Sequence, residues 1–381
     1  MKLALVRTAS NQLRFGSYNI QEIGLARSIL SFGVSTDIYA RFSNLIEEQV
    51  VEEYNGAKVT IIPLKGRRIF KEIMYYPKLK SQLCKGEYNV VQLLDESQMM
   101  LPYLFKALKK RGVKTILWQG MYRNFSGRVA RVMQVVYDKL FVDTINKHSD
   151  FKIAKTHYAA EYLKNKKYDT VNVLPVGLNH IDSEIDTKLL DEVECFKKNH
   201  SRLLFYIGAI ERRRDIPFLL LVLSQLKKEG YGLVLVGSGP DSDLVDQMIN
   251  NRGLNNDVLR YKNIANNKIA NIFPYIQCLV LPTQYEIYGM VMLEALINGV
   301  PVVATPEAGP CTILENDELG TCVPFNTNKW IEVIKFYEGN YSGEESKSRR
   351  KKQVMDKYNW EAIGKEYFHK YLSNLSRQAL V

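Results

Sequence analysis

The feature that most constrains the fold is a repeated alternation between short apolar runs and longer stretches of helical character. In the first half of the chain the apolar runs are KLALVR, TDIYAR, KVTIIP, NVVQLL and KTILWQ. In the second half they are RLLFYIG, GLVLVG, VLRYKN, CLVLP and PVVAT. Short apolar strands that alternate with helices are typical of parallel sheets with helices on both faces. The pattern therefore predicts two doubly wound α/β units.

The length of the chain fits two such units, because 381 residues exceed the usual size of one domain. We place an N-terminal Rossmann-like domain at residues 1–178, a linker at 179–200 and a C-terminal Rossmann-like domain at 201–346. Residues 347–381 are expected to form helices, the last of which packs back on the N-terminal domain. Ligands bind beyond the carboxyl ends of parallel strands, so two facing units predict a cleft between them.

The cysteines and histidines exclude several classes of protein. The five cysteines form no CxxC pair and leave one residue over, which favours a reducing compartment over a secreted disulfide framework. The five histidines show no metal-ligand spacing, so neither a metal nor another cofactor is expected. No window reaches the roughly 18 to 20 apolar residues that span a bilayer, and MKLALVRTASNQ is predicted to be a first strand rather than a signal peptide. We expect a cytoplasmic protein.

The excess of positive over negative charge is confined to the first half of the chain. Residues 1–180 hold 28 lysines and arginines against 15 aspartates and glutamates, whereas residues 181–381 hold 24 against 26. Between residues 64 and 85, and again around KALKKRGVK and MYRNFSGRVARVMQ, basic residues are interleaved with apolar ones. This mixture suits peripheral contact with an anionic membrane surface and a lipid-linked acceptor. An ordinary solvated surface remains the alternative.

The stretch YEIYGMVMLEALINGVPVVATPEAGP places two carboxylates around an apolar run. Glu286 lies just ahead of a predicted helix that begins near Gly289, where free backbone N–H groups attract anions such as a diphosphate. A simple capping role for Glu286 is the alternative. Glu294 lies inside the helix and cannot cap it, so its carboxylate needs a partner such as two ribose hydroxyls or a protein N–H group.

These residues carry a resemblance to a known family. The E-x7-E pattern followed by PEAGP resembles the C-terminal signature of glycosyltransferase family 4, whose members have the GT-B fold and are retaining enzymes that use nucleotide diphosphate sugars. The segments FYIGAIERRRDIPFLL, GLVLVGSGP, VNVLPVGLN and YNWEAIGKEY resemble further parts of the family, so the likeness covers nearly the whole chain.

The resemblance implies a set of site residues. It implies catalytic roles for Glu286, Arg214 and Gln119. The implied donor-binding residues are Gly16, Ser17, Arg213, Arg214, Glu286, Ile287, Tyr288, Gly289, Met290 and Glu294. In this scheme Glu286 faces the donor sugar, Glu294 binds the ribose, and Arg214, with Arg213 as a second candidate, replaces the phosphate-binding lysine of the family.

Two positions depart most from the family pattern, and Ser17 in place of the second glycine and Ala308 in PEAGP are milder departures. Ala209 stands where the family usually has an arginine, so one positive charge is absent or is supplied by Arg212 or Arg213. Gln119 stands where a histidine is usual, and glutamine can hydrogen-bond a sugar hydroxyl but cannot titrate.

The resemblance thus implies a hexosyltransferase that needs no metal and moves a sugar, with a UDP-sugar favoured, to a glycan or lipid-linked acceptor in surface polysaccharide assembly. A sugar-nucleotide epimerase of similar architecture would use the donor alone and remains an alternative. A basic nucleic-acid-binding protein is a second alternative, but it leaves Glu286 and Glu294 unexplained and the chain shows no recognition motif. Nucleic acid is therefore not an expected partner.

Overall fold

The structure is a computed structural model that describes residues 1–16, 20–70, 73–179 and 183–373. The strands are β1 (Lys2–Val6), β2 (Ser35–Ala40), β3 (Gln49–Tyr54), β4 (Ala57–Pro63), β5 (Arg67–Phe70), β6 (Ile73–Tyr75), β7 (Val90–Leu94), β8 (Lys114–Gln119), β9 (Phe151–Ala154), β10 (Val171–Val173), β11 (Arg202–Ile207), β12 (Tyr231–Val236), β13 (Val258–Tyr261), β14 (Ile276–Leu281), β15 (Val302–Ala304) and β16 (Gly320–Cys322). The helices are α1 (Gln21–Ser28), α2 (Leu79–Lys85), α3 (Leu101–Lys109), α4 (Arg128–His148), α5 (His157–Asn165), α6 (Thr187–Asn199), α7 (Ile216–Leu226), α8 (Ser242–Asn251), α9 (Met290–Ile297), α10 (Ala308–Ile313), α11 (Thr327–Gly339), α12 (Glu344–Lys357) and α13 (Trp360–Tyr367).

The chain forms two compact units. The first comprises Met1–Asn179 together with the segment that begins at Tyr358, and the second comprises His180–Lys357. The stretch assigned to a linker contains α6, which belongs to the second unit. The two predicted tail helices are divided, because α12 belongs to the second unit and α13 to the first. A cleft between the units stays a prediction.

The sheet of the first unit has the strand order β10-β9-β8-β7-β1-β2-β4-β3 within the described residues. Neighbouring strands of this sheet are parallel, except for β3 and β4 at the edge, which are antiparallel. The central strands β1 and β7 are almost entirely buried, as expected for strands covered on both faces. The strand order reverses between β1 and β7, which marks the switch point of a doubly wound sheet.

The sheet of the second unit has the order β13-β12-β11-β14-β15-β16, with every neighbouring pair parallel. Its strand order reverses between β11 and β14, again as in a Rossmann-like domain. The longest apolar run of the chain, IPFLLLVLSQL, forms helix α7. This helix is buried on most sides and so lies in the core. No helix in the described ranges has both the length and the apolar character that crossing a bilayer requires.

The sequence-based strand predictions are confirmed. Each of the ten apolar runs forms a strand, and so does the start of VNVLPVG. Five strands were not predicted: β3, whose sequence QVVEEY is charged and mostly exposed at a sheet edge, the paired strands β5 and β6, and the short strands β9 and β16. Charged edge strands lack the apolar run that identifies a buried strand.

The segment after Tyr358 completes the first unit. The indole of Trp360 packs directly against Gly24 of α1 and Gly177, where a Cβ atom would collide with the ring. The Tyr367 hydroxyl donates a hydrogen bond to the Gln92 side chain on β7 at 2.7 Å. The rings of Phe32 and Phe368 stack with centroids 4.5 Å apart. The N-terminal unit is therefore built from both ends of the described chain.

Candidate active site

The candidate site lies where β11 and β14 end side by side in the second sheet. At such a switch point the following loops diverge and leave room for a ligand. The loop after β11 contains Arg212–Arg214, and the loop after β14 leads to Glu286. The two loops are joined by backbone contacts, because the Gln284 N–H donates to the Arg213 carbonyl at 2.7 Å.

Arg214 and Glu286 form an ion pair across these loops. The guanidinium Nη1 donates to Oε2 of the carboxylate, and the two side chains are only 14% and 11% exposed. Burial alone lowers the pKa of Arg214, but the adjacent carboxylate outweighs it, so the pKa is raised above its ordinary value. The second carboxylate oxygen accepts from the Tyr288 N–H at 3.4 Å. Both charges are held in place before any ligand binds.

The turn from Glu286 to Met290 requires a glycine. Gly289 immediately precedes α9 and has φ +81°. In that conformation a residue with a side chain is strained by roughly 1–2 kcal/mol. The Gly309 N–H of α10 donates to the Glu286 carbonyl at 3.1 Å and fixes the turn. The backbone N–H groups of Ile287, Gly289 and Met290 donate no hydrogen bond to any acceptor in the described part of the chain.

Glu294 lies on α9 about one turn beyond this loop. Its carboxylate makes no hydrogen bond or ion pair with any of the residues that the structure describes. Burial raises the pKa of Glu294 from 4.5 to about 7. The side chain is partly accessible to solvent rather than enclosed in the core. The sequence-based argument that this carboxylate needs a partner therefore stands, and the described protein atoms do not supply that partner.

Arg213 is occupied by protein atoms. Its guanidinium is paired with Glu211 at 2.7 Å and donates to the Tyr285 carbonyl at 2.7 Å. These contacts hold the two loops together and leave Arg214 as the arginine beside Glu286. Arg212 is exposed and forms no ion pair with the described residues.

Gln119 and Gly16 lie in the first unit. Gln119 ends β8 and is fully buried, its amide accepting from the Glu96 N–H at 3.0 Å and donating to the Met121 carbonyl at 2.9 Å. Gly16 is exposed with φ +85°, and Ser17 lies outside the described residues. The roles assigned to these three residues stay predictions, and the contacts of Gln119 are those of a residue that shapes a loop.

A group of charges at the carboxyl edge of the first sheet was not predicted from the sequence. Arg7, which directly follows β1, lies 3.3 Å from Glu22 at the start of α1. Lys155, which directly follows β9, is buried and donates to the Gln21 side chain at 2.9 Å. Burial opposes ionisation of Glu22, but Arg7 and Lys155 outweigh it and hold the pKa of Glu22 below its ordinary value. The available signal was Arg7 directly after the predicted strand β1, whereas Lys155 gave no such signal because β9 was not predicted.

No cluster of His, Cys, Asp and Glu side chains suited to a metal ion occurs among the described residues. The site instead offers backbone N–H groups, one guanidinium and two carboxylates. That set can bind a phosphate and polyhydroxyl groups together.

The fold and the site together define a class. Two Rossmann-like α/β domains are the architecture of GT-B glycosyltransferases. Residues 191–353, somewhat less than half of the chain, match the family described as Glycosyl transferases group 1. This match contains the loops after β11 and β14 and the whole of α9.

Three known proteins illustrate the likeness. An uncharacterized glycosyltransferase of Methanocaldococcus jannaschii is 23% identical over 214 residues, which cover 54% of this chain and 55% of that relative. The structure of sucrose-phosphate synthase from Thermosynechococcus elongatus superposes with a TM-score of 0.73 at 18% identity, covering 100% of this chain and 99% of that one. The Anabaena protein HepE, solved in complex with UDP and glucose, gives a TM-score of 0.67 at 14% identity, covering 98% and 99%.

The likeness to the solved structures establishes the GT-B fold. The match spans about half the length of the Methanocaldococcus relative, so it concerns part of that protein only. Together the comparisons support a glycosyltransferase enzyme and do not favour an epimerase or a nucleic-acid-binding protein.

Proposed function

We propose that the protein is a retaining glycosyltransferase of family 4. It moves a hexose from a nucleotide diphosphate donor to a glycan or a lipid-linked acceptor during surface polysaccharide synthesis. The observation that carries the proposal is the carboxylate of Glu294, which has no partner among the described protein atoms and lies one turn from the Arg214–Glu286 pair. Two adjacent ribose hydroxyls provide the donors that such a carboxylate lacks.

The diphosphate is held by the start of α9 and by Arg214. The backbone N–H groups of Ile287, Gly289 and Met290 and the positive end of the helix face the developing negative charge of the leaving group. Arg214 uses one nitrogen for Glu286 and keeps further N–H donors for a phosphate oxygen. These groups stabilise the departing diphosphate in our scheme without a metal ion.

Retention of configuration proceeds in our scheme without a covalent intermediate on Glu286. One oxygen of this carboxylate accepts from Arg214, and the other accepts from the Tyr288 N–H group at 3.4 Å. A carboxylate engaged on both oxygens is a poor nucleophile but a good hydrogen-bond acceptor for the donor sugar. The acceptor hydroxyl therefore attacks on the face from which the diphosphate departs.

A UDP-sugar is the proposed donor. The structural likeness to HepE, which was solved with UDP and glucose, supports this choice together with the ribose-binding role of Glu294. The acceptor is assigned to the first unit, whose carboxyl edge carries Arg7 and Thr8. The buried Thr8 hydroxyl has no hydrogen-bond partner within the described chain. The enzyme is proposed to work in the cytoplasm at the inner face of the cell membrane.

Thermal shift against a panel of nucleotide sugars tests the proposal. A donor at 100 times its dissociation constant adds about 2.7 kcal/mol to the stability of the folded state. We expect the largest shift with a UDP-sugar, and we expect Glu294→Ala to abolish it while Glu332→Ala, an exposed carboxylate on α11, keeps it. The absence of a shift with every nucleotide sugar, or an equal shift in both variants, would contradict the assignment.

Product analysis completes the test. Incubation with donor and a glycan acceptor should give a product with the anomeric configuration of the donor, as read by NMR. Isomerisation of the donor in the absence of acceptor would instead identify an epimerase.

A further inference from the structure

Two cysteines of the second unit lie in contact with each other. Cys311 is on α10, and Cys322 is the last residue of β16. The Cys311 thiol donates to the Cys322 sulfur, and the two sulfur atoms are 3.7 Å apart. Both side chains are partly accessible to solvent, whereas Cys278 on β14 is buried. The two cysteines show no CxxC spacing, so only the fold reveals them as a pair.

A disulfide between Cys311 and Cys322 requires only a small movement. Because a disulfide bond is about 2.05 Å long, the two sulfur atoms have to approach each other by about 1.7 Å. The segment between the two cysteines is short, so closing it into a ring orders few residues. Solvent reaches both thiols, and a small oxidant can therefore reach them as well.

The order of the chemical steps follows from the surroundings of the two thiols. Burial and the adjacent Cys311 sulfur raise the pKa of the Cys322 thiol, which stays protonated. Cys311 therefore reacts first: its thiolate bonds to one sulfur of a small disulfide and displaces the other sulfur as a thiolate. The Cys322 sulfur then attacks Cys311 in this mixed disulfide, and its proton goes to the second thiolate that leaves. In sum, two protein thiols and one small disulfide give one protein disulfide and two small thiols.

Closing this disulfide moves α10 rather than β16. Cys322 is paired with Ala304 in the ladder of β15 and β16, and the Val323 N–H donates to the Ala304 carbonyl at 2.7 Å. The indole N–H of Trp330 in turn donates to the Val323 carbonyl at 3.1 Å. Helix α10 has only six residues and therefore few internal hydrogen bonds. A bond to Cys322 thus draws Cys311 and α10 towards the sheet.

Helix α10 also holds the turn that begins at Glu286. The Gly309 N–H donates to the Glu286 carbonyl at 3.1 Å. The two segments are so close that a Cβ atom on Gly309 would lie 2.2 Å from the Tyr288 carbonyl oxygen. A hydrogen bond breaks when its donor and acceptor separate by more than a few tenths of an ångström. Displacement of α10 therefore releases the turn.

We propose that Cys311 and Cys322 form a reversible disulfide that loosens the turn at Glu286. Donor binding is weakened as a consequence, and this consequence alone rests on the function proposed above. Disulfides of cytoplasmic proteins are usually transient and redox-sensing, which agrees with a pair of thiols that is open to solvent. The reduced chain is the form that binds the donor.

Treatment of the full chain with glutathione disulfide tests the chemistry. We expect peptide mapping by mass spectrometry to join the peptides that contain Cys311 and Cys322, with the loss of two hydrogen atoms, and dithiothreitol to reverse the change. Cys311→Ser and Cys322→Ser should each prevent it. Cys195→Ser, which changes an exposed cysteine on α6, is the matched control and should oxidise like the unaltered chain. No joined peptide, or a glutathione adduct that stays on Cys311, would overturn the proposal.

Hydrogen exchange measures the effect on the turn without any donor. In the oxidised chain, the peptides that contain residues 286–290 and the Gly309 N–H should exchange faster than in the reduced chain. Cys311→Ser treated with the same oxidant should show no such change. Exchange rates that are equal in the oxidised and reduced chains would overturn the proposal.

Titration with UDP measures the consequence for the donor. Oxidation should weaken UDP binding roughly three- to tenfold, the effect of one lost hydrogen bond, and dithiothreitol should restore it. Cys322→Ser should bind UDP equally before and after treatment with the oxidant. Unchanged affinity in a chain that carries the disulfide would overturn the link to the donor. If the reduced chain does not bind UDP, the proposed function is wrong, and the mapped peptides and exchange rates still decide whether the disulfide forms and loosens the turn.

Discussion

Replacing Glu294 by glutamine gives the sharpest test of the candidate site, because it removes one ionisable group and keeps the size of the side chain. Burial raises the pKa of Glu294 from 4.5 to about 7, so the folded protein retains a proton that the unfolded chain has lost. The stability contributed by this group is complete below about pH 4.5 and is lost as the pH rises through 7.

The magnitude follows from the size of the shift. Each pKa unit corresponds to about 1.4 kcal/mol, so ionising Glu294 costs about 3 kcal/mol in the ligand-free protein. Glu294→Gln avoids that cost. We expect the variant to unfold at a temperature about 5 to 10 °C higher than the unaltered chain at pH 8. At pH 4.5 the two proteins should differ little.

Donor binding should respond in the opposite direction. In the proposed site ribose hydroxyls donate to the ionised carboxylate, so we expect a bound nucleotide to lower the pKa of Glu294 and to bind more tightly as the pH rises from about 5 to 8. Glu294→Gln should bind UDP at least about tenfold more weakly at pH 8, since hydrogen bonds to a charged group contribute about 1.5–3 kcal/mol. The variant should also lose the pH dependence.

Two measurements decide the matter: calorimetric unfolding as a function of pH, and titration calorimetry with UDP at pH 5.5 and 8. A variant that is less stable than the unaltered chain at pH 8 would show that Glu294 has a protein partner. UDP affinity that is unchanged by the substitution would refute the ribose-binding role, whatever the stability data show.

Three further predictions concern the surroundings of the site, and a fourth concerns the first unit. Arg214→Met should destabilise the second unit by roughly 3–5 kcal/mol in chemical denaturation, because Glu286 is left buried without its cation. The double variant R214M/E286Q should recover part of that loss of stability. If the two substitutions instead change the free energy of unfolding additively, Arg214 and Glu286 are not coupled. Glu286→Ala should lower kcat more than it raises the donor KM, and a change confined to KM would argue against contact with the reacting sugar. Gly289→Ala should lower the free energy of unfolding by about 1–2 kcal/mol and weaken UDP binding, because φ +81° is strained for alanine. Unaltered UDP binding would show that the turn at Gly289 does not hold the phosphate. Trp360→Ala should destabilise the first unit by about 3–5 kcal/mol and leave UDP binding intact.

The fold could be predicted because its signal is repetitive. Ten of the strands form apolar runs in the sequence, and each of these runs coincides with a strand of the structure. The position of Glu286 ahead of α9 could be predicted for a similar reason, since Gly289 marks the start of that helix. These features depend on neighbours in the sequence.

The roles of individual arginines could not be predicted in this way. Residues Arg212–Arg214 form a 3₁₀ turn, in which successive side chains point about 120° apart. One therefore faces Glu286, one faces Glu211 and the Tyr285 carbonyl, and one faces solvent. The sequence shows three equivalent residues, and only the partners contributed by β14 and its loop distinguish them.

Gln119 illustrates the same limit. The end of a parallel strand is a good place for a ligand-binding side chain, and the resemblance pointed to a sugar contact. Its amide is instead hydrogen-bonded to the Glu96 N–H and the Met121 carbonyl. Both partners belong to loops whose conformations depend on tertiary packing, so no local pattern reveals them.

The return of the last helix to the first unit has a consequence for biosynthesis. The slot formed by Gly24 and Gly177 is filled by Trp360, which the ribosome adds long after β1 to β10 have left the exit tunnel. The first unit therefore stays incompletely packed until the second unit has been translated. A premature stop codon just after residue 357 would thus spare the second unit and damage the first unit, which is encoded at the other end of the gene.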